Sequence, residues 1–435
     1  MLLFKALRTQ SRAVLQRAPA ISMPKNITFN TSFQNTNPSS LLKSHSTRLT
    51  TALSASDSVT LRWDDGTERL ALWGWLHRFC SCPSCKQPFS GQLMRLPSES
   101  PANPLVKRAE VIGDALKVTW AEGHHVSEFD SAWLREFLKP PEAHRLEVLR
   151  DPVSIPRISA AEIGTELGAF QLVESLARFG LAVVTNAGTK PDTVSKVAER
   201  IGPVQRTIYG NQFDVVSSAK PINIAYSNVR LSLHQDLIYY ESAPALQLLH
   251  CLRFDAGVTG GESSFMDAVA AAELLRETNP LAFDTLTKVP ASFHKVHYDR
   301  DDPVHLVYHR PHISTDHNGD ITQVSWAPPF ERPPRLSPSL MADYLHAYSA
   351  FASIIDDPHS PLRVQFRLSP GEVAVFNNRR MVHGRESFSG SGGRRHLQGC
   401  YVGAEDVTCR LNVLASSFAP PGWTPPRLFF GSWSG

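Results

Sequence analysis

Leu231-Ser-Leu-His-Gln-Asp-Leu-Ile238 is the stretch that decides the fold, because it sets a His and an Asp two residues apart among apolar neighbours. Side chains two apart on a strand project from the same face. His383 lies far downstream, after the strand-like run Glu372–Asn377. Two His and one carboxylate can hold non-haem Fe(II) by one face of its octahedron and leave the other positions open. The pattern predicts that His234, Asp236 and His383 bind iron inside a barrel of β-strands.

The alternative explanation of this pattern is chance. The chain contains 17 His, and roughly one His-x-Asp is expected at ordinary Asp frequency. A second one, His297-Tyr-Asp299, runs into the charged, Pro-ended segment Arg300–Pro303, which has no strand pattern. We therefore interpret the first pair as the metal site and the second as part of a loop.

Arg395 follows His383 after a short interval along the chain. The planar guanidinium group binds carboxylates bidentately, so an Arg near the metal can hold the far end of a dicarboxylic acid. Together with the three metal ligands, it indicates an oxygenase that uses Fe(II) and 2-oxoglutarate on a small-molecule substrate.

The bulk composition limits the classes of partner. The net charge of +3 is too small to indicate nucleic acid or an anionic membrane as a partner. No apolar run approaches the roughly 18 residues of a membrane span. The 32 Pro and 25 Gly favour a mainly β fold with flanking helices. Strands that carry the metal ligands in this order imply a double-stranded β-helix, the jelly roll of the cupin type.

The N-terminal segment has the composition of a targeting peptide. Residues 1–56 contain no Asp or Glu but several Lys and Arg, and they are rich in Ser, Thr and Asn. On a helix, the early Leu, Phe and Val residues would share an apolar face. These features predict a mitochondrial transit peptide. If the segment is only a disordered basic tail, the cytosol is the expected location.

Strands and helices are predicted from apolar periodicity and turn signals. Short strands are expected at residues 59–63, 68–72 and 116–120, and a buried strand at 181–184. Helices are expected at residues 131–138, 159–180, 192–200 and 338–355. We expect ordered structure from about Asp57, a small domain over residues 57–140, and the oxygenase domain over residues 155–435.

Three cysteines form a compact cluster in the small domain, at Cys80, Cys82 and Cys85. The six cysteines of the chain do not form the pattern of a disulfide framework, which suits a reducing compartment. Structural zinc takes four Cys or His ligands. The local candidates for the fourth ligand are His124 and His125, and the less favourable His77.

Several motifs resemble those of the γ-butyrobetaine dioxygenase and trimethyllysine dioxygenase family. The resemblance spans roughly residues 58 to 415. In the small domain it rests on Trp75–Cys85, His125–Phe129 and Trp133-Leu134. Beyond that it rests on Thr207–Gly210, Asn223–Tyr226, His234–Asp236, Gln247–Leu252, Thr259–Ser263, Val382–Arg385 and Arg395–Tyr401.

The resemblance implies a role for particular residues. Cys80, Cys82, Cys85 and His125 would bind zinc, and His234, Asp236 and His383 would bind iron. Arg395 would bind the far carboxylate of 2-oxoglutarate. Ser263 would offer a hydroxyl beside it, and the alternative is that Ser263 is only a turn residue after Gly260-Gly261. The family also implies a homodimer, and it leaves ascorbate as a further cofactor to be tested.

The substrate side of the resemblance is an aromatic cage, which attracts a trimethylammonium group by cation–π interaction. Its positions here are Tyr209, Phe213, Tyr226 and Tyr401. Three features differ from the family pattern: Phe213 replaces Trp, Leu237 replaces a Tyr of the γ-butyrobetaine enzymes, and Val324–Phe330 does not match the Asn-containing stretch of animal members.

The choice of substrate depends on one pocket residue and on the N-terminal segment. Asn223 is neutral where trimethyllysine enzymes carry an Asp, and its amide can donate to the carboxylate of γ-butyrobetaine. The transit peptide fits the trimethyllysine enzyme better. We expect hydroxylation of γ-butyrobetaine to L-carnitine. The alternatives are trimethyllysine, a specialised metabolite, or a zinc protein that uses the jelly roll only for binding.

Overall fold

The computed structural model describes residues 47–123, 125–140, 146–216, 227–389 and 393–431. The chain divides into two compact units, Met1–Pro140 and Pro141–Gly435. Most of the expected transit peptide lies outside the described residues, as do His124, Asn223 and Tyr226. In the described part of the chain, no helix is both long and apolar enough to cross a membrane.

Within its described residues, the first unit contains two three-stranded antiparallel sheets and two short α-helices. One sheet has the order β1-β2-β3 and the other β4-β5-β6. Their shared core contains the buried Trp63, Trp73 and Trp120. The elements are β1 Leu49–Ser54, β2 Ser58–Trp63, β3 Glu68–Leu72, α1 Trp73–Arg78, β4 Val106–Ile112, β5 Ala115–Trp120, β6 Val126–Asp130 and α2 Ser131–Phe137.

The expected start of order near Asp57 is wrong. Strand β1 begins eight residues earlier, at Leu49, and pairs along its length with β2. The buried Leu49 lies opposite Trp63 in this ladder. The segment Leu-Thr-Thr-Ala-Leu-Ser contains β-branched Thr residues, which favour a strand, but it continues the Ser- and Thr-rich composition of the N-terminal tail. The strands expected at residues 59–63, 68–72 and 116–120 and the helix at 131–138 are confirmed.

The second unit alternates strands and helices. The elements before the metal-binding strands are β7 Arg157–Ser159, α3 Ala160–Ile163, α4 Glu166–Phe179, β8 Leu181–Thr185, α5 Thr193–Ala198 and β9 Phe213–Val216. The next are β10 Leu231–His234, β11 Leu246–Phe254, β12 Ser263–Asp267, α6 Ala268–Thr278, α7 Pro280–Lys288, β13 Pro290–His297, β14 Val304–Pro311, β15 Ile313–Thr315 and β16 Ile321–Val324. The last are β17 Glu331–Arg332, α8 Pro338–Asp356, β18 Arg363–Phe366, β19 Val373–Asn377, β20 Met381–Arg385, β21 Arg395–Val402 and α9 Ala404–Phe418.

Two sheets of the second unit face each other. One has the order β7-β8-β19-β11-β21-β9, and the other β10-β20-β12-β18. Strands β10, β11 and β12 alternate between the two sheets, and so do β18, β19, β20 and β21. Apolar side chains from both sheets share one core, in which the rings of Phe265 and Phe376 are 5.0 Å apart. This alternation is that of a double-stranded β-helix.

Helices cover the outer face of each sheet. Helices α4, α5 and α9 pack on the larger sheet, while α6, α7 and α8 pack on the smaller one. The single helix expected over residues 159–180 is wrong, because α3 and α4 are separate. Ser159 and Glu162 form a capping box around α3, and the hydroxyl of Thr165 caps α4 by accepting from the N–H of Gly168. The sequence therefore starts a second helix, α4, within the stretch whose apolar periodicity predicted one continuous helix. The helices expected near residues 192–200 and 338–355 are confirmed.

A buried ion pair joins the two sheets to the helices. Arg380, which precedes β20, donates to the carboxylate of Asp267 from Nε at 2.9 Å and from Nη2 at 2.7 Å. The side chains of Arg380 and Asp267 are 1% and 2% exposed. The other carboxylate oxygen of Asp267 caps helix α6 by accepting from the N–H groups of Val269 and Ala270. Arg380 also donates to the carbonyl of Arg178 at the end of α4.

The variant Arg380→Met should lower the free energy of unfolding by about 3–5 kcal/mol, because it leaves the charge of Asp267 buried without its partner. Lys288→Met is the matched control. Its partner Asp284 is 51% exposed, and Lys288 itself 70%, so the loss should stay below about 1 kcal/mol. Urea unfolding of both variants measures the difference. Equal losses of unfolding free energy would show that the buried ion pair stabilises the protein no more than the exposed one.

Candidate active site

The ladder between β10 and β20 brings the two predicted histidines together. The strands are antiparallel, and His234 lies directly opposite His383 in their register. The imidazole centroids are 4.5 Å apart. One ligand atom each from His234, Asp236 and His383 lies within 4.8 Å of the others. The described residues contain one other such group, the cysteine cluster, and His297 and Asp299 belong to neither.

Asp236 does not lie on the strand with His234, contrary to the sequence prediction. Strand β10 ends at His234, and Asp236 lies in the turn that follows. Leu237 has a φ of +59°, which an L-residue with a bulky side chain adopts only under tertiary constraint. Gln235 helps to fix the turn: its N–H donates to the carbonyl of Trp326, and its Oε1 accepts from the N–H of Trp326, both at 2.8 Å.

Four hydrogen bonds orient Asp236. Its N–H donates to Oδ1 of Asn378 at 3.0 Å, and its carbonyl accepts from Nδ2 of the same residue at 2.9 Å. Its Oδ2 accepts from Nε2 of Gln247 at 2.8 Å and from the hydroxyl of Tyr401 at 2.9 Å. The other oxygen, Oδ1, lies 3.4 Å from Nε2 of His234. One carboxylate oxygen is thus held by the protein, and the other faces the histidine.

The protonation of these groups suits a divalent cation. Burial would raise the pKa of Asp236, but the hydrogen bond from His234 and the nearby His383 and Tyr401 outweigh it and hold that pKa well below its usual value. Burial and the adjacent His234 lower the pKa of His383 to about 3. Nδ1 of His234 donates to the carbonyl of Ser232 at 2.8 Å, so Nε2, which faces Asp236, is the ring nitrogen that would coordinate a cation. Nδ1 of His383 is buried without a hydrogen-bond partner in the described part of the chain.

The cysteine cluster of the first unit also converges on one point. Nε2 of His125 is 3.3 Å from Sγ of Cys80, 3.9 Å from Sγ of Cys82 and 3.5 Å from Sγ of Cys85. Burial and the neighbouring Cys80 raise the pKa of the Cys85 thiol to about 12. Crowded, half-buried thiols ionise readily only when a cation compensates them. The arrangement matches the four-ligand set of structural zinc.

His77, the third candidate for the fourth ligand, has a different partner. Nη1 of Arg95 lies 3.0 Å from Nδ1 of the His77 ring and donates to the His77 carbonyl at 2.9 Å. Nη2 of Arg95 donates to Sγ of Cys85 at 2.9 Å. The structure therefore groups His125 with the three cysteines and leaves His77 beside Arg95.

Arg395 begins strand β21 and lines the same cavity as His234, Asp236 and His383. The residue is 6% exposed, and its guanidinium carbon lies 5.4 Å from the centroid of Phe254 and 5.7 Å from that of Phe388. Burial, reinforced by the neighbouring Arg385, lowers the pKa of Arg395 to about 10. It remains a cation at neutral pH. Ser263, on β12, lines the same cavity.

Aromatic rings form another part of this cavity. The Tyr209 and Phe213 centroids are 6.0 Å apart, and Phe213 stacks on Tyr401 at 5.2 Å. Arg395 and Tyr401 lie six residues apart on β21 and both line the cavity, as their even spacing predicts. The whole lining consists of Tyr209, Phe213, Val215, Leu231, His234, Asp236, Gln247, Leu249, Ser263, Pro329, Phe330, His383, Gly384, Arg385, Arg395, Leu397 and Tyr401.

Nine residues of the lining were not predicted as site residues, among them Gln247, Arg385 and Phe330. Gln247 and Arg385 lie inside motifs that carry the family resemblance, so the motifs offered a signal. Phe330 had none, because its segment departs from the family pattern. Its ring lies 6.4 Å from that of His234 and 5.2 Å from that of Tyr239. The short turn Pro328–Phe330 carries it there.

Sequence comparison places this geometry in a family. The model of the family described as taurine catabolism dioxygenase TauD, TfdA family matches residues 157–401, which include all the residues of the iron-binding group. The chain belongs to the TauD, TfdA family of dioxygenases. The prediction of a 2-oxoglutarate-dependent dioxygenase is confirmed at the level of enzyme class. A second model, the N-terminal domain of γ-butyrobetaine hydroxylase-like proteins, matches residues 51–135.

Several curated relatives cover most of this TauD-family chain. Dioxygenase str8 of Strobilurus tenacellus is 31% identical over 78% of this chain and 84% of its own length. The γ-butyrobetaine dioxygenase of Pseudomonas sp. strain AK-1 is 32% identical over 84% of this chain and 96% of its own. The trimethyllysine dioxygenase of Meyerozyma guilliermondii is 27% identical over 82% of this chain and 94% of its own length. The resemblance to the γ-butyrobetaine dioxygenase and trimethyllysine dioxygenase family is confirmed.

Gln247→Met should weaken binding of a divalent metal by about tenfold, because Oδ2 of Asp236 then loses one of its two hydrogen-bond donors and the carboxylate is less well oriented. Anaerobic titration with Mn(II), followed by electron paramagnetic resonance, measures the affinity. Gln398→Met is the matched control: Gln398 lies on β21 but accepts from the N–H of Asp192, outside the cavity. Unchanged affinity in the Gln247 variant would remove its positioning role.

Proposed function

We propose that this enzyme hydroxylates γ-butyrobetaine to L-carnitine with Fe(II), 2-oxoglutarate and O2. The observation that carries the proposal is one cavity lined by three kinds of group. It contains the His234, Asp236 and His383 triad, the buried cation of Arg395, and the rings of Tyr209, Phe213 and Tyr401. These groups match, in turn, a metal, a dicarboxylic acid and a quaternary ammonium ion.

His234, Asp236 and His383 would hold the iron. Bound there, iron supplies the reduction of O2 that is coupled to oxidation of one C–H bond and to conversion of 2-oxoglutarate into succinate and CO2. Of the two atoms of O2, one enters the hydroxyl group of the product and the other enters succinate. The walls of the cavity would keep bulk water away from the reacting groups and would orient one C–H bond of the substrate toward the metal.

Arg395 would bind the far carboxylate of 2-oxoglutarate, with Ser263 nearby. A buried guanidinium is costly unless an anion compensates it, and in the part of the chain that the structure describes Arg395 has no carboxylate partner within ion-pair distance. Its Nε is buried without a hydrogen-bond partner there. A dicarboxylate would satisfy this group and place its other end toward the metal ligands.

The rings of Tyr209, Phe213 and Tyr401 would face the trimethylammonium group. The hydroxyl of Tyr401 is fixed by Asp236, so this ring has a defined position relative to the metal. Asn223 and Tyr226 are predicted to complete the site, with Asn223 donating to the substrate carboxylate. Trimethyllysine is the alternative substrate, since relatives with both names match over most of the chain. A mitochondrial location is part of the proposal.

The deciding experiment measures succinate formed by the Fe(II)-loaded enzyme after addition of 2-oxoglutarate and O2. Parallel reactions contain γ-butyrobetaine, trimethyllysine or no further substrate. Succinate coupled to carnitine in the first reaction supports the proposal, and coupling only to trimethyllysine overturns the substrate. Equal slow turnover in all three reactions would retain the oxygenase and assign it another substrate. The variants His234→Ala and Asp236→Ala should lose turnover in every reaction.

Recognition of the cationic charge can be measured separately. Wild-type enzyme should bind γ-butyrobetaine about tenfold more tightly than its carbon isostere, in which a neutral tert-butyl group replaces trimethylammonium. Tyr209→Leu should reduce that ratio toward one, because a cation–π face is lost while the apolar volume is largely kept. Tyr298→Leu is the control, since Tyr298 is 61% exposed and lies outside the cavity. A ratio near one in the wild type would exclude a trimethylammonium cage.

We further propose that Cys80, Cys82, Cys85 and His125 bind one structural zinc ion. Their convergence supports this assignment, as does the modest size of the core that they adjoin. Small domains with little core gain folding free energy from such an ion.

The purified wild-type protein should contain about one zinc per chain, and Cys82→Ser should contain none. Elemental analysis after extensive dialysis measures the ratio. Thermal unfolding of this variant should start at a lower temperature, because zinc binding contributes to folding. Cys409→Ser, at an exposed cysteine, should keep its zinc. Full zinc content in the Cys82 variant would contradict the ligand assignment.

A further inference from the structure

A second cavity lies on the surface of the oxygenase unit, with a volume of about 350 Å³. None of its lining residues belongs to the iron-site cavity. It is bordered by the end of strand β14 and by residues near the described C-terminal end. Its lining includes Glu241, Tyr308, Arg310, Arg379 and Phe430.

Arg310 is 8% exposed, yet its partners are carbonyl groups and not carboxylates. Its Nη2 donates to the carbonyls of Tyr240 and Glu241, the latter at 2.7 Å. Its Nε is buried without a hydrogen-bond partner in the described chain. The guanidinium stacks over the ring of Tyr308 at 4.4 Å, which fixes its plane at the cleft.

Arg379 is the second buried cation of the cleft, also 8% exposed. Its Nε donates to the carbonyl of Ala243 at 2.8 Å, its Nη1 to the carbonyl of Phe430, and its Nη2 to Oγ of Ser242 at 3.2 Å. No ion pair joins Arg379 or Arg310 to a carboxylate within the residues that the structure describes.

The two guanidinium groups line the same cleft, and the positive charge of one disfavours that of the other. Burial, followed by the charge of Arg310, lowers the pKa of Arg379 to about 10. Burial also lowers the pKa of Arg310, which the nearby Tyr308 and Glu241 oppose. Buried Arg380 shows the usual solution, a carboxylate in direct contact. Glu241 acts on Arg310 and Glu405 on Arg379, but among the described residues neither carboxylate forms an ion pair with them, so both buried cations lack a carboxylate in contact.

We propose that this cleft binds a small oxyanion, of the phosphate or carboxylate class, at Arg310 and Arg379. Guanidinium groups bind such anions through short, charge-assisted hydrogen bonds. The anion would replace the carboxylate partner that the two cations lack.

The site connects to the iron-binding turn through the backbone. Arg379 directly follows Asn378, whose side chain holds the backbone of Asp236. Arg310 holds the carbonyls of Tyr240 and Glu241, which end the segment that begins at Asp236. An anion at the cleft would therefore stabilise both segments that position Asp236. This consequence does not depend on which substrate the enzyme hydroxylates.

The test is titration calorimetry of the metal-loaded, full-length enzyme with inorganic phosphate, and in a second arm with acetate, at constant ionic strength set by chloride. One phosphate per chain should bind, and the two arms distinguish a phosphate from a carboxylate ligand. Arg310→Gln should lower the affinity at least about tenfold, by loss of a charged hydrogen-bond donor. Glu241→Gln should raise the phosphate affinity about threefold, because it removes an exposed negative charge that repels the anion.

Two controls separate the cleft from other sites. Arg253→Gln, at an exposed residue paired with Asp255, should leave phosphate affinity unchanged. Arg395→Gln tests binding in the active site: if this variant loses phosphate while Arg310→Gln keeps it, the proposal is overturned. It is also overturned if neither anion binds to the wild type. If Arg310→Gln does not fold, the increase in Glu241→Gln decides, and no increase there contradicts the proposal.

Discussion

The register of one antiparallel strand pair sets the whole active site. Because β10 and β20 place His234 directly opposite His383, the two imidazoles meet inside the barrel, and a shift of one residue would turn one of them to the opposite face. Close backbone approach maintains this register. A Cβ atom on Gly384 would lie 2.6 Å from the carbonyl oxygen of Leu231, so only glycine fits beside His383.

Asp236 joins His234 and His383 from a turn beyond the end of β10. Because no strand pairing fixes its backbone there, other contacts must hold it in place. Side chains from three distant parts of the chain hold it: Gln247 on β11, Asn378 after β19 and Tyr401 on β21. Tyr401 also stacks on Phe213. Tyr401, which orients the proposed metal ligand Asp236, therefore also forms a wall of the proposed cation site, and β21 would position both the metal and the substrate.

Buried arginines in this unit follow two patterns. Arg380 is paired with Asp267 and joins helices to the sheets. Arg395, Arg310 and Arg379 are nearly as buried, but in the described residues they lack a carboxylate in contact, and all three line cavities. A buried cation without an anion is unfavourable in free energy. The contrast separates a structural arginine from arginines that are suited to bind an anionic ligand.

The sequence alone determined the residue types that carry the chemistry. His234, Asp236, His383, Arg395 and the cysteine trio could be proposed from the sequence because metal and carboxylate binding require particular donor atoms. Short-range periodicity predicted strands such as β2, β3, β5 and β8 and the helices α2, α5 and α8, but it did not predict β1, α6, α7 or α9. Only the tertiary structure decided that Asp236 leaves the strand, that Gln247 and Tyr401 share its oxygen, and that Phe330 enters the cavity. These features depend on contacts between segments far apart in the chain, which local sequence patterns do not encode.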